Sequence, residues 1–202
     1  MEPQTPVKPT TLEIGLGRIL RRVTWRLIPL LGIAYIVAYL DRINVSFAAL
    51  QMNQDLHLGA VAYGTGAGIF FLGYVLFEIP SNLILQRVGP RLWIARIMVS
   101  WGILSVSMAW VRDEWSFYLL RFLLGVAEAG FFPGIILYLT YWFPMRERAR
   151  IIALLSTATA LAGLIGSPLS GMILSLDGWN GWRGWHWLFV LEGLPAIVLG
   201  LA

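Results

Sequence analysis

Residues 27–50 read LIPLLGIAYIVAYLDRINVSFAAL, an apolar run broken by charge only at Asp41 and Arg42. A helix crossing a bilayer core takes about 20 such residues, so this stretch is long enough to span. An ionised side chain at the bilayer centre costs about 2.5–3.5 kcal/mol on insertion scales. The pair at 41 and 42 therefore cannot face lipid without a reason.

The same pattern recurs outward from it. Apolar segments at 62–85, 92–111, 116–142, 149–176 and 185–202 complete six spans. Glu78 interrupts the second, Arg121 and Glu128 the fourth, and Glu192 the sixth. Six ionisable groups facing lipid would oppose insertion by on the order of 15 kcal/mol. They are expected to face a protein interior or a wet cavity, and a charge-lined pathway follows. Composition agrees: 58% of residues are hydrophobic and 13% charged, with a mean hydropathy of +0.72. A soluble domain of 202 residues could not hide that much apolar surface, so the solvent is lipid. The fold class is all-α, an integral membrane protein.

The net charge of +4 does not point to nucleic acid. Eleven of the fifteen basic residues fall in the N-terminal arm and in the second–third and fourth–fifth connections. Two, Arg112 and Arg183, fall on the other side, and Arg42 and Arg121 lie in spans. That asymmetry predicts a cytoplasmic N-terminus. The domain plan is a basic arm over 1–26, with an interfacial helix at 12–26, then a six-helix unit over 27–202. No cleavable signal is apparent, and the first span is expected to serve as its own insertion signal. The last span runs off the C-terminus without a polar flank.

Cysteine is absent, which excludes disulfides and thiolate metal sites. The two histidines, His57 and His186, fall near predicted loops. No metal and no cofactor is expected. Gly64 with Gly68, and Gly130 with Gly134, have the small-xxx-small spacing of close helix packing. Gly163, Gly166, Pro168 and Gly171 permit bending of the fifth span. Tryptophans at 101, 110, 115, 142, 179, 182, 185 and 187 read as interfacial anchors near span ends.

In the first span Tyr35, Tyr39, Arg42 and Ser46 follow steps of four, three and four, which makes one polar stripe. Asp41 lies about 100° round from Arg42, so the two face different partners. Arg121 and Glu128, seven apart, share a face, and Tyr74 stacks on Glu78. A buried guanidinium offers a bidentate fork to a carboxylate, and neighbouring tyrosines bind hydroxyls or rings. A substrate carboxylate competing for that guanidinium would free an acid to take a proton, which gives a physical basis for moving proton and anion together. Static intramembrane salt bridges are the plainer reading of the same groups. For Glu78, before IPSN at 79–82, and Glu192, in LEGLP at 191–195, helix capping or kink support is an equal alternative.

As a set, YLDRIN at 39–44, FEIPSN at 77–82, RFLLGVAEAGFFP at 121–133, YWFP at 141–144 and EGLP at 192–195 resemble the anion:cation symporter branch of the major facilitator superfamily. Tartrate, aldonate and hydroxyphenylacetate permeases are similar over nearly the whole chain after the basic arm. The resemblance implies two six-helix halves around a central cavity, each half a 3+3 inverted repeat. It implies proton coupling at Asp41 and Glu128, and substrate or acid contacts at Arg42, Arg121, Tyr39 and Tyr74. The expected partners are a small organic anion, protons and the lipid bilayer. Two departures stand out. The second–third loop, QRVGPR at 86–91, has Gln86 where the superfamily usually has an acid, and a second six-helix half is absent. A fragment of a longer transporter, or two assembling copies, would each supply that half; nothing suggests a symmetric partner surface, which favours the fragment. An intramembrane enzyme lacks a histidine or cysteine base in any span. A channel would show rings of like charge. A non-transporting receptor on the same half-fold stays open.

Overall fold

The computed structural model describes the backbone of residues 11–201, and side chains from residue 22 onward apart from position 146. The elements are α1 (Thr11–Asp55), α2 (Ala60–Val88), α3 (Pro90–Ser107), α4 (Glu114–Glu128), α5 (Phe131–Trp142), α6 (Met145–Leu174) and α7 (Gly184–Leu201). A 3-10 turn at Met108–Trp110 extends α3. No strand occurs among the described residues. Six helical segments are long and apolar enough to cross a membrane, the fourth being α4 and α5 taken together. The chain is a multi-pass integral membrane protein.

Two boundaries and one packing contact differ from the sequence reading. Residues 11–26 of the expected arm and the first span are one continuous helix, because nothing between the two offers a strong breaker, and Pro29 is accommodated within it; positions 1–10 of the arm lie outside the described residues. At 45 residues and 1.5 Å per residue it runs about 67 Å, well beyond a bilayer core of about 30 Å. The fourth span, expected unbroken over 116–142, is interrupted at Ala129 and Gly130. Gly130 takes a left-handed φ of 84°, which ends α4 just after Glu128 and restarts the chain as α5. Pro133 then sits in the first turn of α5, where its missing N–H costs nothing. The third difference concerns glycine. Gly64 and Gly68 have no neighbouring atom in reach of a Cβ and do not form a packing seam. The seam is made instead by Gly66, Gly73 and Gly125. A Cβ on Gly125 would lie 2.0 Å from the Phe70 carbonyl oxygen, and one on Gly73 2.5 Å from that of Phe122. Gly130 and Gly134 do pack closely, against Ser81 and Leu85.

The pairing of helices carries the internal symmetry. α3 packs along α7, α2 along α4, and α1 along α6. If spans four to six repeat spans one to three, the contact of span two with span four maps onto that of span five with span one. The contact of span three with span six maps onto itself. All three are the dominant contacts here, as an inverted repeat requires.

Two apolar cores stack along the bundle. One contains Ala38, Trp101, Leu124 and Ala196; the other contains Val45, Met108, Phe117 and Phe189. On every one of these helices a buried polar residue lies in sequence between the two cores: Asp41 and Asn44 on α1, Ser105 on α3, Arg121 on α4 and Glu192 on α7. Asp41, Arg121 and Glu192 thus lie in one polar layer at mid-bundle, and Glu128 sits two turns along α4 from Arg121.

Candidate functional site

Within that layer α1 presents two faces. On one, Arg42 pairs with Glu128 of α4 through its Nη2 and the Glu128 Oε1. Glu128 is buried, while the Arg42 side chain keeps 34% exposure. The Arg42 Nε is buried with no hydrogen-bond partner. The guanidinium carbon lies 5.3 Å from the Tyr74 ring centroid and 5.7 Å from that of Phe70, within cation–π range. Tyr35, Tyr39, Arg42, Tyr74, Glu128, Phe131 and Phe132 surround a cavity of about 110 Å³. That is room for three or four waters at about 30 Å³ each, or for one carboxyl group and its immediate neighbours. Tyr35 leans on Phe132 at 5.4 Å between centroids.

The other face of α1 carries Asp41, 1% exposed. Its Oδ2 accepts from the Trp101 indole at 2.7 Å. Its Oδ1 accepts from the Ser105 hydroxyl and from Asn44 Nδ2 at 3.1 Å. Trp101 and Ser105 are four apart on α3, so both donors come off one helix face. These neutral donors replace water around the carboxylate. No basic group lies within 4.0 Å of Asp41 among the described residues.

Arg121, 2% exposed, lies apart from the small cavity. Its Nε donates to the Gly66 carbonyl at 3.4 Å, and its guanidinium carbon sits 4.6 Å from the Phe70 centroid. Phe70, itself 1% exposed, therefore contacts both arginines. Arg121 has no carboxylate within 4.0 Å among the described residues. Glu192 is buried between α7 and α6, where its Oε1 accepts from Ser170 at 2.9 Å and its Oε2 has no partner. Glu78 is half-buried and lines neither the small cavity nor the Asp41 cluster.

Of the six residues singled out in the sequence, four (Arg42, Tyr39, Tyr74 and Glu128) line one cavity, and the stripe of Tyr35, Tyr39 and Arg42 holds. Ser46 is exposed. Asp41 and Arg42 do face different partners, as their offset requires. Sequence reasoning missed Phe70, Trp101, Ser105 and Asn44. Trp101, read as an interfacial anchor, is fully buried and binds Asp41; Trp185, read the same way, is buried and donates to Asp55 at 2.8 Å. The available signal was that a buried carboxylate needs donors, which Trp and Ser at a spacing of four supply.

The arrangement has counterparts. The model of the Major Facilitator Superfamily matches residues 31–202. A protein of Agrobacterium vitis named as a tartrate transporter is 56% identical over 91% of this chain and 41% of its own length. A metabolite transport protein of Pseudomonas putida is 54% identical over 94% of this chain and 44% of its own. The solved structure of a bacterial homolog of the human lysosomal transporter Spinster, inward-facing and occupied, superposes with a TM-score of 0.79 at 23% identity, over 87% of this chain and 42% of that one. The chain thus spans about two-fifths of the length of these relatives. With its six spans, its 3+3 pairing and a family match over most of its length, the chain belongs to the Major Facilitator Superfamily.

Proposed function

We propose that this six-span unit is the N-terminal part of a secondary transporter that carries a small organic carboxylate together with protons, its N-terminus cytoplasmic. The observation that carries the reading is Arg42. It lines the small cavity, holds Glu128, and keeps a buried Nε with nothing to donate to. A guanidinium is built for bidentate carboxylate binding, and here half of that fork is unused. A carboxylate entering beside Tyr39 and Tyr74 takes the free donor and competes with Glu128 for the other. As the cation turns to the substrate, Glu128 loses its counter-charge in a buried setting and takes up a proton. Proton and anion then load together.

Arg121 supplies a second buried cation with no ion-pair partner among the described residues. It adds positive potential toward an entering anion, with Phe70 as the contact between the two guanidinium groups. Asp41, tied to α3, is assigned the second coupling role. A cavity of about 110 Å³ does not enclose a whole organic acid, so the remaining contacts come from a second six-span half, against which this one rocks. The name of the A. vitis relative favours a hydroxy-acid such as tartrate, whose hydroxyls suit Tyr35, Tyr39 and Tyr74.

The test is Glu128→Gln in the intact transporter, reconstituted with substrate on both sides or with a proton gradient. The expected result is retained substrate exchange with loss of gradient-driven accumulation. Undiminished accumulation removes Glu128 from the coupling.

A further inference from the structure

The bundle end that carries Arg22, Arg26, Arg87 and Arg91 holds a second and far larger cavity, of about 940 Å³, between α1, α3, α5 and α7. Its size is at the upper end of the usual range for ligand pockets, about 300–1,000 Å³. Along α1 its lining runs from Val23 to Ala34, a depth of about 17 Å at 1.5 Å per residue. The walls are largely aliphatic, among them Leu31, Ile94 and Met98, with Tyr138 and Trp142 on the α5 side. Among the described residues its charged lining is Arg26 and Arg91, with no acid. Both arginines are exposed, and Arg22, one turn before Arg26, is exposed too.

Three features select the occupant. The cleft is deep and apolar, so a small hydrophilic anion would leave most of it unfilled. Its charged lining is cationic, so a neutral hydrocarbon would leave two guanidinium groups unanswered. Finally, Leu92, a lining residue, is 67% exposed. The cleft therefore opens sideways on apolar surface, where bilayer lipid has access. We propose that this cleft binds one anionic phospholipid, its phosphate between Arg26 and Arg91 and an acyl chain along the Leu31–Ile94–Met98 wall. Basic pockets between transmembrane helices recognise anionic headgroups in this way. The opposite end of the bundle has the reverse chemistry. There Asp55 and Asp177 take up Arg183 at 2.9 and 3.5 Å, and Asp113 and Glu114 are exposed.

The proposal stands apart from transport and is tested on the purified intact transporter in neutral detergent. Binding is read by native mass spectrometry and thermal shift, with phosphatidylglycerol, phosphatidylcholine or inorganic phosphate as the probe. The expected result is retention of one phosphatidylglycerol, with little retention of phosphatidylcholine and no protection by phosphate alone. Arg26→Gln with Arg91→Gln, both exposed positions that leave the core intact, should weaken phosphatidylglycerol about thirty-fold, from about 1 kcal/mol per arginine. A photo-crosslinker at Leu92 should capture lipid. Equal retention of the two lipids, unchanged affinity in the double variant, protection by phosphate alone, or crosslinks to the chain's own basic arm would each overturn the proposal.

Discussion

Asp41 and Arg42 are neighbours in sequence, yet the two faces of α1 they occupy are built on opposite principles. Behind the helix, Asp41 is fully enclosed and holds three neutral donors, two of them from α3. In front, Glu128 depends on one cation, which is partly exposed, borders a cavity and leaves a donor unused. The rear cluster is saturated, so any movement of α1 against α3 breaks bonds that nothing replaces. The front pair is unsaturated, so on the proposed reading a substrate carboxylate enters at the unused donor and Glu128 takes a proton in exchange for its lost counter-charge. An acid held by neutral dipoles fastens two helices for as long as it stays ionised, and one held by a single exchangeable charge responds to a competing anion. One turn of one helix supplies both, because successive residues point about 100° apart.

The largest expected effect comes from removing the front cation. Arg42→Leu strands Glu128 in a buried site, and breaking a buried pair in this way costs about 3–5 kcal/mol. The lower end applies, because the Arg42 side chain is 34% exposed and water reaches it. Adding Glu128→Leu should recover most of the loss, since paired removal leaves no orphan charge. Chemical or thermal unfolding in detergent micelles, run as a double-mutant cycle, checks this. If the double variant is as unstable as the single one, the front pair is an anchor and the contrast fails.

The rear cluster should respond less. Trp101→Phe and Ser105→Ala each remove one interhelical donor, and such bonds in membranes average about 0.6 kcal/mol with a maximum near 1.7. A summed loss of about 1–2 kcal/mol is expected in the same unfolding assay. A negligible effect of both together would show that Asp41 does not fasten α1 to α3.

Legibility in the sequence follows the same divide. The spans were readable because apolar length is a property of one segment, and the front stripe because Tyr35, Tyr39 and Arg42 share a helix face. The break at Gly130 was hidden: an apolar count over 116–142 is blind to one left-handed φ, although AGFFP at 129–133 contains both the glycine and the proline that make it. The rear cluster was hidden for a different reason. Which of ten tryptophans binds an acid depends on how α3 is turned against α1. That rotation is set by Gly102, Gly193 and Gly200, where α3 and α7 approach so closely that a Cβ on any of them would meet atoms at 2.7–2.9 Å (on Gly200, the Val99 side chain). No pattern within one segment reports it.

A carboxylate outside both faces gives the baseline for an acid held by local hydrogen bonds alone. Asp113 caps α4: its Oδ1 accepts the Ser116 backbone N–H at 2.7 Å, and the Ser116 hydroxyl accepts from the Asp113 N–H at 3.1 Å. That reciprocal box is worth keeping at a helix start. The Ser116 bonds hold the Asp113 carboxyl below the usual range. Because the folded value is the lower one, the cap's contribution is complete above the unfolded value, near 3.9. It is lost as pH falls through the folded value. Asp113→Asn, which keeps an acceptor but cannot titrate, should flatten that acid limb slightly and leave stability at neutral pH nearly unchanged. Unfolding of both variants between pH 3 and 7 measures the difference. A wild-type curve with no more acid sensitivity than the Asn variant would mean that Asp113 contributes nothing as an anion and caps α4 only as a neutral acceptor would.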